Sequence, residues 1–114
     1  MSNAIKIGLA LTAAMLGGTA PLLAQTMQSV AQSGKPTVVS VFFNCTTHFI
    51  PSVSGSASHG TVTTGRSTRD GPCGNKAEPV LVVTYTSEPG YKGQEGINLF
   101  FPGGQNSSIT IQVR

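Results

Sequence analysis

The 114-residue chain has no tryptophan, only two cysteines, two histidines and four carboxylates, and charged residues make up just 10% of it. Each shortage removes a class of function. The four carboxylates, Asp70, Glu78, Glu88 and Glu95, fall in loop- or turn-like contexts, where solvated surface charge is the expected role rather than glycoside cleavage. No Gly-x-Ser-x-Gly motif occurs, and no glycine-rich loop leads into a helix to cradle phosphate. The chain is therefore not expected to be an enzyme and implies no cofactor. Its seven basic residues are scattered rather than clustered, which is not a nucleic-acid footprint.

What is present begins with a leader. Lys6 precedes an apolar run from Ile7 to Leu16, which Gly17, Gly18 and Pro21 interrupt before Leu22, Leu23 and Ala24. A basic start, a short apolar centre and a small residue at the end describe a secretory signal. Residues 1–24 are assigned to it, with cleavage after Ala24 or, on the small-x-small rule, after Ala31. Spanning a bilayer needs roughly 20 continuous apolar residues, and neither this run nor any later one meets that. Periplasmic or secreted localisation is expected, with a net charge near +2 once Lys6 is removed. Both cysteines, Cys45 and Cys73, lie in the exported part, where an even pair most simply forms one disulfide. In the chain-entropy model, closing that loop contributes about 3–4 kcal/mol.

The remainder reads as a flexible leader, 25–36, followed by one domain, 37–114. Thr37 to Phe43, "TVVSVFF", is rich in β-branched and aromatic residues and reads as a strand. An irregular strand is expected around His48 to Val53, and a short one over His59 to Gly65. Arg66 to Pro79 carries glycines, prolines and most of the charge, and reads as a loop. "VLVVTYTS" follows, with Leu81, Val83 and Tyr85 on the core face. Ile97, Leu99 and Phe101 share a face in the next segment, and Ile109, Ile111 and Val113 share one in the last. Short strands, frequent turn signals and no helical period after the leader point to an all-β sandwich.

The segments "HGTV", "VVTYTSEPGYKGQEGINLFF" and "SSITIQV" together resemble bacterial immunoglobulin/cadherin-like domains, over His59 to Val113. The resemblance is strongest to small exported single-domain forms with one cysteine on each side of the His-Gly strand, a largely uncharacterised group. It implies an immunoglobulin-like antiparallel β-sandwich with one disulfide. Ser87 stands where the pattern has proline, and Glu95-Gly96 where it has Asp-Ser. Relatives in repeat arrays often bind calcium through acidic clusters. This chain has no Asp-x-Asp and no adjacent carboxylates, so no calcium site is carried over.

Two candidate sites follow. Tyr85, Pro89, Gly90, Tyr91 and Gly93 form a structural corner: proline sets φ, glycine admits a positive φ, and the tyrosines pack at the edge. Arg66, Arg69 and Lys76 share a loop that is the candidate contact surface for a protein or cell-envelope partner. Free sheet edges could also accept a partner strand. The expected function is a non-enzymatic exported binding or structural module. One alternative is a periplasmic metal-binding or redox-responsive protein using Cys45, His48, His59 and Cys73, a ligand set suited to zinc or copper. Another is an inhibitor of an exported hydrolase.

Overall fold

The computed structural model describes residues 23–26 and 29–114. Most of the expected signal peptide lies outside the described residues. Eight strands and no helix occur among the described residues: β1 (Leu23–Thr26), β2 (Val30–Ala31), β3 (Thr37–Phe43), β4 (Ser54–Ala57), β5 (Gly60–Arg69), β6 (Glu78–Ser87), β7 (Gly93–Phe100) and β8 (Asn106–Val113). They form one sheet in the order β1-β3-β6-β5-β4-β7-β8-β2, curled into a half-barrel. All pairings are antiparallel except β2 with β8.

The inward faces follow from alternation. Leu81, Val83 and Tyr85 are buried on β6, Ile97 and Leu99 on β7, and Ile111 and Val113 on β8. Ile109 is only half-buried, and Phe101 meets Phe42 edge to face with ring centroids 5.4 Å apart. Strand β3 is buried on both faces from Val39 to Phe43, and a bulge between Val38 and Ser40 shifts its register on β6. This explains why it is apolar on both faces, with only Ser40 interrupting the run from Val38 to Phe43.

Three expectations about segments need correction. The 25–36 leader holds part of β1 and all of β2, with Ala31 buried and its carbonyl accepting from the Arg114 amide at 2.8 Å. A two-residue parallel pairing carries no periodic signal in sequence. No strand occupies His48 to Val53; the next strand starts at Ser54. The "loop" from Arg66 is β-strand as far as Arg69, because β5 continues through Gly65 and pairs with β6 over its whole length, Gly60↔Ser87 to Arg69↔Glu78.

The joint between the two halves of the sheet is narrow. β4 shares one ladder pair with β5, Ala57↔Gly60, and pairs with β7 over Ser54↔Phe100 to Ala57↔Ile97. Gly60 is packed too closely to carry a side chain. A Cβ there would stand 2.5 Å from the Thr86 carbonyl oxygen, 2.7 Å from the Tyr85 ring and 2.8 Å from Ser87 Cα. Backbone atoms cannot yield as a flexible side chain can, so Gly60→Ala should lower stability by about 1–3 kcal/mol. Gly65→Ala on the same strand meets nothing within 4 Å and should be neutral, or stabilising by up to about 1 kcal/mol. Urea unfolding of the two variants checks both.

Candidate functional site

Two carboxylates expected on the surface are buried instead, one at each end of the β5–β6 ladder. Glu95 faces inward on β7 and is 2% exposed. Its Oε2 accepts from the Tyr85 hydroxyl at 2.8 Å and from the His59 backbone amide at 2.8 Å. Its Oε1 lies 3.6 Å from His59 Nδ1. The His59 ring stacks on Tyr91 at 4.1 Å, with planes 6° apart, and the Tyr91 hydroxyl donates to the Gln94 carbonyl. Burial works against ionisation of Glu95. The hydrogen bonds from Tyr85, the His59 amide and the His59 ring outweigh it and hold its pKa below the ordinary 4.5. Burial and the Glu95 charge push the Tyr85 hydroxyl well above its usual range.

The expected corner is therefore part of a larger polar cluster. Tyr85 is fully buried, Tyr91 half-buried, and Gly90 and Gly93 have φ of 88° and 131°. After Pro89, the Gly90 amide donates to Ser33 Oγ at 2.9 Å, which ties the corner to the segment following β2.

At the far end, Glu78 opens β6 and is fully buried. His48 Nδ1 lies 2.8 Å from both of its oxygens, and Asn75 Nδ2 donates to Oε1 at 2.8 Å. The His48 hydrogen bond is the largest influence on Glu78; with Asn75 and the His48 charge it outweighs burial and keeps the pKa below 4.5. Asn44 builds the turn that carries His48. Its side-chain oxygen accepts from the amides of Thr46 and Thr47 at 2.9 and 3.0 Å, and His48 itself takes φ 57°. The Cys45–Cys73 disulfide sits beside this pair, joining the turn to the β5–β6 connection across 28 residues.

This arrangement overturns the proposed Cys45, His48, His59, Cys73 metal set. The two sulfurs are bonded to each other, and the histidines belong to different clusters at opposite ends of a ten-residue ladder, roughly 30 Å of strand. Alternation could have flagged the two buried acids. Glu95 is in phase with Ile97 and Leu99, and Glu78 with Val80.

Of the candidate contact residues, Arg66 and Arg69 lie on β5 and Lys76 in the connection at its tip. None of the three forms an ion pair among the described residues, while Asp70 accepts the Ala77 amide at 2.8 Å. β5 pairs with β6 on one side; on the other, beyond Ala57↔Gly60, no ladder pair is formed among the described residues, but Val62 lies against Gly55 and Thr64 Oγ1 donates to the Val53 carbonyl at 2.9 Å, so the stretch without such a neighbour is Gly65 to Arg69. A cavity of about 140 Å³ opens beside that edge, lined by Ser52, Val53, Thr64, Gly65, Arg66 and Leu81.

No family model matches the chain, and no curated protein does. Among solved structures it is similar to one titled "ZirS C-terminal Domain", at 13% identity with a TM-score of 0.49. That match covers 82% of this chain and 65% of the other, just under two thirds of its length.

Because Glu78 and Glu95 are more acidic folded than unfolded, the stability they contribute is complete above about pH 4.5. It is lost as the pH falls through their lowered folded values. Urea midpoints should therefore drop steeply below about pH 4.5. Glu95→Gln, which leaves one buried acceptor fewer, should cost about 1–3 kcal/mol at pH 7 and flatten that acid slope. An unchanged slope in the variant would remove Glu95 from the account.

Proposed function

We propose that the chain is an exported, non-enzymatic, immunoglobulin-like binding module that takes an extended, carboxylate-bearing segment of a partner protein along the outer edge of β5. The observation that carries this reading is the edge itself. Beyond Thr64, whose hydroxyl donates to the Val53 carbonyl, five successive residues, Gly65 to Arg69, have no ladder partner on that side among the described residues. Natural proteins usually shorten, bulge or cover such an edge, and β-strand addition uses one. The only charges on it are Arg66 and Arg69, both without a carboxylate partner, so charge complementarity selects an acidic strand. The cavity beside Thr64 and Arg66 offers room for one side chain of the incoming segment.

Strand order supports the immunoglobulin-like part. β1-β3-β6-β5 and β4-β7-β8-β2 are two groups of four joined by a single residue pair, with the N-terminal strands divided between them. That grouping matches two sheets of a sandwich with one hydrogen-bonded seam. The disulfide supports export, since such bonds persist in oxidising compartments.

Hydrogen exchange tests the reading directly. In the isolated protein, alternate β5 amides from Gly65 to Arg69 should exchange fast. A decapeptide of alternating threonine and glutamate should protect them, and binding should weaken at least tenfold in Arg66→Glu/Arg69→Glu. Uniformly slow amides without peptide, or binding indifferent to the charge reversal, would sink it.

A further inference from the structure

The cluster at the tip of the β5–β6 hairpin holds three kinds of metal-ligating atom in one place. His48 Nδ1, Cys73 Sγ and a Glu78 carboxylate oxygen all lie within 4.8 Å of one another. Cys45 Sγ is bonded to Cys73 and so occupies the same spot. We propose that this is a redox-gated zinc site: closed as the disulfide, and a Cys45, Cys73, His48, Glu78 tetrahedral site for Zn²⁺ once the disulfide is reduced.

The chemistry depends on the sulfurs. In the disulfide they are neutral and poor ligands, so the oxidised protein offers one imidazole and one carboxylate already hydrogen-bonded to each other. A dithiol reductant supplies two electrons and two protons, converting the cystine to two thiols and becoming a disulfide itself. Zn²⁺ then displaces both thiol protons to solvent and is held by two thiolates, an imidazole nitrogen and a carboxylate oxygen. That mixed set is a normal one for zinc.

The geometry is close to what the ion needs. Ligands of tetrahedral zinc stand roughly 3.3–3.8 Å apart. The His48–Glu78 pair, now at 2.8 Å, would open by about 0.5 Å, and any atom near the 4.8 Å limit would close by about 1 Å. The cysteine Cα atoms, 5.4 Å apart, keep both thiolates on one centre. Asn75 Nδ2 on Glu78 Oε1 supplies the outer hydrogen bond that orients the carboxylate. His48, with 45% of its side chain exposed, provides the way in, while Glu78 is the buried wall.

The test uses the full exported domain, oxidised or reduced with a dithiol that is then removed without oxygen. Zn²⁺ is titrated against a chromophoric chelator, with Co²⁺ as a spectroscopic probe. The reduced protein should take one Zn²⁺ at least 100-fold more tightly than the oxidised form. It should melt at a higher temperature with Zn²⁺ than without, and should give a thiolate-to-Co²⁺ charge-transfer band. His48→Ala and Glu78→Gln should each weaken Zn²⁺ binding tenfold or more, while His59→Ala should leave it unchanged. His48→Ala, at a half-exposed position, guards against a folding defect in the buried variant. Equal affinity of the two redox forms would overturn the proposal. So would binding insensitive to both His48→Ala and Glu78→Gln, or a reduced chain that unfolds and takes up no stoichiometric metal.

Discussion

The buried carboxylate of Glu95 constrains the rest of the structure. An ionised group at 2% exposure is tolerable only if its oxygens are met by donors. The donors come from parts of the chain far apart in sequence: the Tyr85 hydroxyl on β6 and the His59 amide in the β4–β5 turn. Meeting them forces β6, β7 and that turn together, which is where the two halves of the sheet join. The close approach of Gly60 to the Tyr85 ring and Thr86 carbonyl follows from the same geometry, as does the stacking of His59 on Tyr91. The corner is a structural lock organised by an acid.

A second lock stands at the other end of the same ladder. Glu78, His48, Asn75 and the disulfide tie the tip of the β5–β6 hairpin to the turn after β3. Between the two locks β5 is laddered to β6 on one edge, while on the other Val62 lies against Gly55 and Thr64 is hydrogen-bonded to the Val53 carbonyl.

Much of the architecture was legible because alternation is a local signal. The inward faces of β6, β7 and β8 could be read from their side-chain period of two, and the stapling of Cys45 to Cys73 from an even pair in an exported-looking chain. Less legible were elements whose signal is weak or misleading. β2 is two residues long, and β4 is Ser-Gly-Ser-Ala with no large apolar residue, so neither has a pattern to detect. β5 continues past Gly65 into Arg-Ser-Thr-Arg because β6 pairs with it, not because those residues favour strands. The candidate contact residues Arg66 and Arg69 were singled out for charge but assigned to a loop, and only the ladder shows that they lie on a strand.

The sequence by itself determined the all-β class, the core faces and the disulfide, because β-propensity, alternation and cysteine count act at short range or through a single covalent choice. Tertiary structure alone decided which polar residues became interior. Alternation puts Glu78 and Glu95 in phase with core residues, but only the fold brings His48, Asn75, Tyr85 and the His59 amide to their oxygens. It also separated His48 from His59, dividing what composition suggested was one ligand set. Burial of a charge depends on where its donors come from, and a linear chain does not show that.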